Sequence, residues 1–127
     1  LWSSYSEANI IAEPNAPGNQ KPIIIESANG TPQVNIQTPS ASGVSRNKYS
    51  QFDVNQKGVI LNNARKPTST ELGGMVDANP FLATGEARII LNEVNSKNPS
   101  QLNGFVEVAG KKAQVIIANP AGVTCDG

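Results

Sequence analysis

Residues 88–122 read RIILNEVNSKNPSQLNGFVEVAGKKAQVIIANPAG. Three short apolar runs in this stretch are separated by Asn-Pro or Gly-Lys-Lys, so that strands of about five residues alternate with tight corners. Asn tolerates left-handed backbone and bonds its own main chain, while Pro fixes φ and ends ladder pairing, which makes Asn-Pro typical of a corner. The stretch therefore predicts strands and corners.

Asn-Pro pairs recur along the chain at a spacing that fits a β-solenoid. One turn of a solenoid made of a few short strands needs about 20 residues. Three pairs recur at nearly equal intervals close to this length, and they are Asn79-Pro80, Asn98-Pro99 and Asn119-Pro120. This spacing favours a β-solenoid, and the many short strands with frequent turns leave a β-sandwich as the alternative.

The rest of the chain has the same character, and nowhere do apolar residues keep a helical period for three turns. Residues 1–22 are rich in Pro and polar residues and predict an extended N-terminal segment or cap, with an edge strand at residues 9–12. Residues 23–127 carry the successive strands. The polar stretch 65–70 contains a proline and predicts a loop. The chain is predicted to be all-β.

Charge is balanced and scattered along the sequence. Ten basic and ten acidic residues cancel, and the longest basic clusters are the pairs Arg65-Lys66 and Lys111-Lys112. We therefore expect no nucleic-acid binding and no docking to anionic lipid. No apolar run approaches about 20 residues, so insertion into a lipid bilayer is not expected either.

Reactive side chains are scarce. The chain has no histidine and one cysteine, Cys125, which leaves no internal disulfide and no four-cysteine metal site. A polysaccharide-cleaving β-helix enzyme would need paired carboxylates or a calcium loop, but the acids are spread almost evenly and no two of them stand close together in sequence. The sequence predicts an exported structural or binding module with no enzyme activity, cofactor or metal.

Two polar features of the strands leave alternatives open. Alternation places Glu93 on the face of Leu91 rather than of Ile90. Glu93 either points inward, with Arg88 or a backbone corner as its partner, or is exposed where the strand ends at Asn92. Asparagines at strand ends either bond from one coil to the next or simply mark turns.

Six segments of the sequence, taken in order, resemble one known domain. They are Gly43–Val54, Gly58–Asn63, Asn79–Leu82, Ile90–Asn95, Asn98–Gly104 and Ile117–Val123. In this order they resemble the N-terminal secretion domain of two-partner-secretion (TPS) exoproteins. These are the TpsA proteins, which include filamentous haemagglutinins and contact-dependent growth-inhibition proteins.

The resemblance implies a right-handed parallel β-helix with an N-terminal cap. It also implies recognition in the periplasm by the POTRA domains of a TpsB outer-membrane transporter, followed by secretion to the cell surface or the extracellular space. Folding outside the cell would help to draw the remaining chain outward. The positions that match the family motifs are Asn79, Pro80, Asn92, Glu93, Asn98, Pro99, Gly104, Asn119, Pro120 and Gly122.

Two departures from the family pattern accompany this resemblance. Phe81 and Ala121 replace the second Asn of their motifs, and the chain stops at Gly127, just before the second cysteine of related domains. We therefore expect a β-helix truncated at its C-terminus, with either self-association through its open edge or partial disorder near residues 115–127. The alternative function is an adhesive module that binds a host glycan or protein directly.

Overall fold

The computed structural model describes residues 9–125, which form twelve short β-strands and two 3-10 turns. The 3-10 turns are Gly18–Gln20 and Pro80–Leu82. The strands are β1 (Ile10–Ala12), β2 (Ile23–Glu26), β3 (Pro32–Asn35), β4 (Val44–Phe52), β5 (Val59–Asn63), β6 (Thr68–Thr70), β7 (Gly74–Val76), β8 (Ile89–Val94), β9 (Ser100–Leu102), β10 (Val106–Gly110), β11 (Gln114–Ala118) and β12 (Val123–Cys125).

The strands wind into three coils that stack in parallel. Each coil places one strand in sheet B (β3, β5, β10) and the next in sheet A (β4, β8, β11). It then places a short third segment in sheet C, where β12 pairs with β9 and Val54 bridges to Leu102. Neighbours within a sheet therefore belong to successive coils. The predicted all-β parallel β-helix is confirmed, and the β-sandwich alternative is wrong.

The coils are longer than the Asn-Pro spacing suggested. Asn35 pairs with Asn62 in sheet B, and Gln101 pairs with Thr124 in sheet C. In both cases the partners lie further apart along the chain than two successive Asn-Pro pairs do. The coil period predicted from the sequence is therefore too short, because the corners use more residues than a tight turn.

The first coil is capped by two antiparallel strands. β1 pairs antiparallel with β4 at the edge of sheet A, and β2 pairs antiparallel with β3 at the edge of sheet B. The N-terminal cap and the edge strand expected at residues 9–12 are therefore present. The division of the chain into residues 1–22 and 23–127 stays a prediction, and residues 1–8 lie outside the described residues.

An insertion between β5 and β8 folds over the outer face of sheet B. It contains the antiparallel hairpin β6–β7. Val76 of this hairpin packs with Ile60 and Ala109, and all three are buried beside the partly buried Leu72. The prediction of a loop over residues 65–70 is wrong for β6, where Thr68–Thr70 pairs with β7.

The interior of the coils is a mixture of apolar and polar side chains. Along β8, Ile90, Asn92 and Val94 are buried and alternate with partly exposed residues. Tyr49 and Phe52 of β4 meet edge to face, with ring centroids 4.8 Å apart. Within residues 9–125 no helix is long and apolar enough to cross a membrane.

Candidate functional site

Asn79 is a buried link between two coils and the insertion. It follows β7 and precedes Pro80, and it is 3% exposed. Its Nδ2 donates to the carbonyl oxygens of Ile36 and Asn62, both at 2.9 Å, while its Oδ1 accepts from the Phe81 N–H at 2.9 Å. A buried amide that satisfies both its donors and its acceptor is costly to remove, because its partners would be left unpaired.

Asn119 repeats this arrangement at the end of β11. Its Oδ1 accepts from the Ala121 N–H at 2.9 Å, and its Nδ2 donates to the Asn98 carbonyl at 3.1 Å and to Ser100 Oγ at 3.0 Å. Ser100 and Asn98 belong to the preceding coil. Asn119 thus fixes its own turn and ties the third coil to the second.

The prolines and Gly122 complete these two corners. Pro80 is the first residue of a 3-10 turn capped by the side chain of Asn79, a position where its missing N–H is not needed. In the other corner Gly122 has φ of +117°, its N–H donates to the Asn119 carbonyl, and its carbonyl accepts from the Ser100 N–H. A side chain at Gly122 would strain this left-handed backbone.

The middle pair, Asn98-Pro99, differs from the other two. Both residues are exposed, and Asn98 contributes main-chain bonds: its N–H donates to Ser96 Oγ at 3.0 Å and its carbonyl accepts from Asn119. Asn98 and Asn119 occupy equivalent corners of successive coils, whereas Asn79 lies in the insertion. The interval from Asn98 to Asn119 therefore falls slightly short of one coil, since Ser100 pairs with Val123, and the interval from Asn79 to Asn98 does not correspond to a coil.

Asn92 lies inside the coils and is fully buried. Its Oδ1 accepts from the Tyr49 hydroxyl at 2.8 Å, and its Nδ2 donates to the Ile116 carbonyl of the next coil at 3.1 Å. Burial raises the pKa of the Tyr49 hydroxyl far above its usual value, so this group stays a neutral donor.

Glu93 lies on the outer face of sheet A. Its carboxylate forms an ion pair with Arg46 of the preceding coil, with a distance of 3.0 Å from Arg46 Nη2 to Glu93 Oε1. The inward alternative and the pairing with Arg88 are wrong. Arg88 instead donates to the Ser42 carbonyl through Nε and Nη2. The strand continues to Val94, so Glu93 is outward within the strand rather than beyond its end.

Gly104 lies where the second coil turns into the third. A Cβ added there would overlap the carbonyl oxygen of Asn55 and come within 2.9 Å of the Gly58 nitrogen. The close approach of these two backbone segments therefore requires glycine.

The residues that the resemblance singled out do not form one pocket. Asn98, Pro99, Asn119, Pro120 and Gly122 meet at one corner, between sheets A and C. The other predicted positions lie apart, with Asn79 and Pro80 in the insertion, Asn92 in the interior, Glu93 on the outer face of sheet A and Gly104 at another corner.

Two anchors of the insertion lie outside the predicted site residues, and Asn63 is one of the strand-end asparagines, which here does bond to the next coil through the Lys111 carbonyl. Asn63 accepts from the Ala87 N–H and donates to the Ala87 carbonyl, at 2.9 and 3.0 Å, which closes the base of the insertion. Glu107 accepts from the Glu71 and Leu72 N–H groups, which fixes the hairpin turn. Glu107 stands in an alternating strand, and nothing in its sequence context signals a partner so distant along the chain.

The described residues are arranged to hold backbone corners together. No group of three or more His, Cys, Asp or Glu side chains among residues 9–125 could hold a metal ion. The prolines of the three Asn-Pro corners, Pro80, Pro99 and Pro120, are exposed, so these corners reach the surface of the β-helix.

Comparison with known proteins identifies a family and several relatives that this chain resembles. The sequence matches the family described as TPS secretion domain over residues 8–127. It is 68% identical over 125 residues to a Toxin CdiA of Yersinia pestis, covering 98% of this chain, and 50% identical over 113 residues to a tRNA nuclease CdiA-2 of Burkholderia pseudomallei strain 1026b, covering 88%. The chain spans 4% of the length of each of these relatives.

A solved structure gives the same result for the fold. The crystal structure of a filamentous hemagglutinin secretion domain superposes with a TM-score of 0.82 at 38% identity, over 93% of this chain and 37% of that one.

Proposed function

The chain belongs to the TPS secretion domain family, and from that membership we propose that it is the recognition and folding-nucleation module of a large exported exoprotein. TPS secretion domains are non-catalytic modules of proteins secreted through the outer membrane with a TpsB transporter as partner. We propose that the POTRA domains of this transporter recognise the chain during its periplasmic transit, before the exoprotein reaches the cell surface or the extracellular space.

The observation that carries this proposal is the hydrogen-bond pattern that the corners at Asn79 and Asn119 share. Asn79 and Asn119 each use the side-chain oxygen for their own turn and the side-chain nitrogen for another coil. We propose a division of roles between them. Asn79 is buried and serves folding, whereas the corner of Asn98, Pro99 and Asn119 is exposed enough to be recognised.

The cap supports the nucleation role. β1 and β2 cover the first coil, so that further coils can add only beyond β10 and β11, which lie last in sheets B and A of the described chain. In a solenoid each coil contacts only its neighbours, and folding propagates from a stable end. We propose that the capped coils template the β-helix that follows in the exoprotein.

The same uncovered coil supports the proposed self-association. Val108, Val115 and Ile117 face the core from the last coil but are only partly buried. An open strand edge with apolar residues beside it invites pairing with another chain. We propose that the chain on its own associates through this edge.

The relatives also suggest which kind of protein segment follows this chain in the exoprotein. Two of them are named Toxin CdiA and tRNA nuclease CdiA-2. We propose that this chain likewise precedes a toxin of the CdiA type, whose activity lies outside these residues.

The proposal is tested by the binding of the purified chain to the POTRA domains of its cognate transporter. We expect saturable binding, and no binding to the POTRA domains of a transporter from an unrelated exoprotein. Absence of binding to the cognate domains, together with direct attachment of the chain to host cells, would overturn the proposal in favour of adhesion.

A further inference from the structure

Two basic dipeptides that are far apart in sequence meet at one corner of the β-helix. Arg65-Lys66 follows β5, and Lys111-Lys112 follows β10. β10 pairs with β5 so that Gly110 lies beside Asn63, and the chain turns the same corner twice. Three of these four cations line a shallow cleft of about 410 Å³, and the fourth is adjacent in sequence.

The two corners are held close together. Asn63 Nδ2 donates to the Lys111 carbonyl at 2.8 Å, and the Lys111 N–H donates to the Asn63 carbonyl at 3.4 Å. A Cβ at Gly110 would stand 2.6 Å from the Asn63 carbonyl oxygen, so glycine permits the approach. The proximity of the dipeptides is therefore built into the backbone.

The cations of this cleft are not neutralised. Over residues 9–125, the one ion pair within 4.0 Å joins Arg46 and Glu93, on the outer face of sheet A. Glu86 lines the cleft but forms no ion pair with the described residues, and Arg65 donates to the carbonyls at residues 82 and 83. Three cations and one acid line the cleft, so a chain of zero net charge carries a positive corner.

We propose that this cleft, with Arg65, Lys66, Lys111 and Lys112, is an electrostatic docking site for an acidic segment or surface of a partner protein. The lysine ammonium group is a compact point charge on a flexible side chain, so it can pair with carboxylates that are spread over a surface. No aromatic side chain is present among the described residues that line the cleft, whereas binding of single-stranded nucleic acid uses aromatic stacking. The same described lining includes no large apolar side chain that could enter a bilayer.

The identity of the partner rests on the proposed function. If the chain is recognised by its transporter, the acidic surface belongs to the transporter's periplasmic domains. Fixed positive charge at the rim of an interface would then steer the encounter and set its salt dependence.

The test is a titration of the full chain with the cognate POTRA domains and, separately, with a short polyglutamate peptide, a heparin oligosaccharide and a DNA oligonucleotide. The double variant Lys66→Glu/Lys111→Glu is compared with Lys57→Glu, which reverses an exposed charge on another edge. We expect the double reversal to weaken the affinities for the POTRA domains and the peptide by about tenfold and the control to change them by less than about twofold, with the difference shrinking at high salt. Unchanged thermal unfolding verifies that the variants fold.

Three outcomes decide the matter. If POTRA domains bind wild type and the double variant equally, the docking site is overturned and the proposed function stands. If POTRA domains do not bind at all but the glutamate peptide binds wild type and not the double variant, the proposed function fails and the acidic docking site survives. If only a heparin oligosaccharide or a DNA oligonucleotide depends on these lysines, the site serves another class of ligand and the proposal is wrong.

Discussion

Asn79 and Asn119, far apart in sequence, make the same pair of contacts in two different corners. In each, the side-chain oxygen accepts from the N–H of the residue after the proline at 2.9 Å, and the side-chain nitrogen donates to a carbonyl of another coil. The two differ in burial, since Asn79 is almost fully buried and Asn119 is partly exposed. Stability and recognition should therefore respond differently to their loss.

Replacing Asn79 by alanine should destabilise the chain strongly. The carbonyls of Ile36 and Asn62 and the Phe81 N–H would lose their partner in a buried place, at a cost of about 3 kcal/mol in the free energy of unfolding. Urea denaturation measures this cost. Asn98→Ala is the matched control, because its exposed side chain makes no hydrogen bond in the described part of the chain, and it should cost less than about 0.5 kcal/mol. Equal midpoints for both variants would refute the role of Asn79.

Gly104 should not tolerate a side chain. The Cβ of alanine would overlap the Asn55 carbonyl oxygen, and we expect Gly104→Ala to lower the free energy of unfolding by about 2 kcal/mol or more. Gly18→Ala is the control, since a Cβ at Gly18 meets nothing within 4 Å. Thermal unfolding of the two variants compares them. A Gly104→Ala protein as stable as Gly18→Ala would show that the corner is not tightly packed.

The buried hydroxyl of Tyr49 should make stability fall at alkaline pH. Tyrosine in an unfolded chain has a pKa of about 10, and burial raises the pKa of Tyr49 well above that in the folded state. Above about pH 10 the unfolded state therefore binds fewer protons than the folded state, and the free energy of unfolding decreases with rising pH. Below about pH 10 this contribution is fully present.

Tyr49→Phe isolates this effect. The variant should cost about 1 kcal/mol at neutral to mildly alkaline pH, because Asn92 Oδ1 loses its donor. The difference from wild type should shrink above about pH 10, since phenylalanine does not ionise. Urea denaturation on either side of that pH tests this, and a difference that stays constant with pH would contradict it.

The Arg46–Glu93 ion pair should contribute little to folding. Both side chains are partly exposed, at 46% and 34%, and such pairs contribute roughly 0–1 kcal/mol. A double-mutant cycle with Arg46→Ala and Glu93→Ala should give a coupling energy below about 1 kcal/mol that decreases with added salt. A larger, salt-insensitive coupling would show that the pair is shielded from solvent.

The sequence predicted strands well where the coil interior is apolar. β8 and β11 are rich in Ile, Leu and Val, and they coincide with two of the apolar runs that corners separate in residues 88–122. β4 lacks such an apolar run, because two of its inward residues are Ser45 and Asn47. Their burial depends on hydrogen bonds to the backbone of Gln37, which lies on a separate segment and leaves no mark on the local pattern.

The sequence predicted where the corners of the candidate site lie, but it did not predict which residues contact one another across the coils. Asn-Pro chemistry located the turns at Asn79 and Asn119, because that chemistry is local. Strand pairing determines where the insertion lies, how Asn63 bonds to Ala87 at its base, and why Lys66 and Lys111 line one cleft. No local pattern encodes that pairing. The balanced charge of the sequence therefore concealed a charged edge in the fold.

The most direct test of the central claim is the amount of exoprotein exported to the cell surface and the culture medium. Wild-type cells are compared with cells whose exoprotein lacks residues 9–125 and with cells that lack the transporter. The account predicts that both deletions abolish export to the same extent and leave the exoprotein in the periplasm. Export of the exoprotein without residues 9–125 at the wild-type level would contradict it.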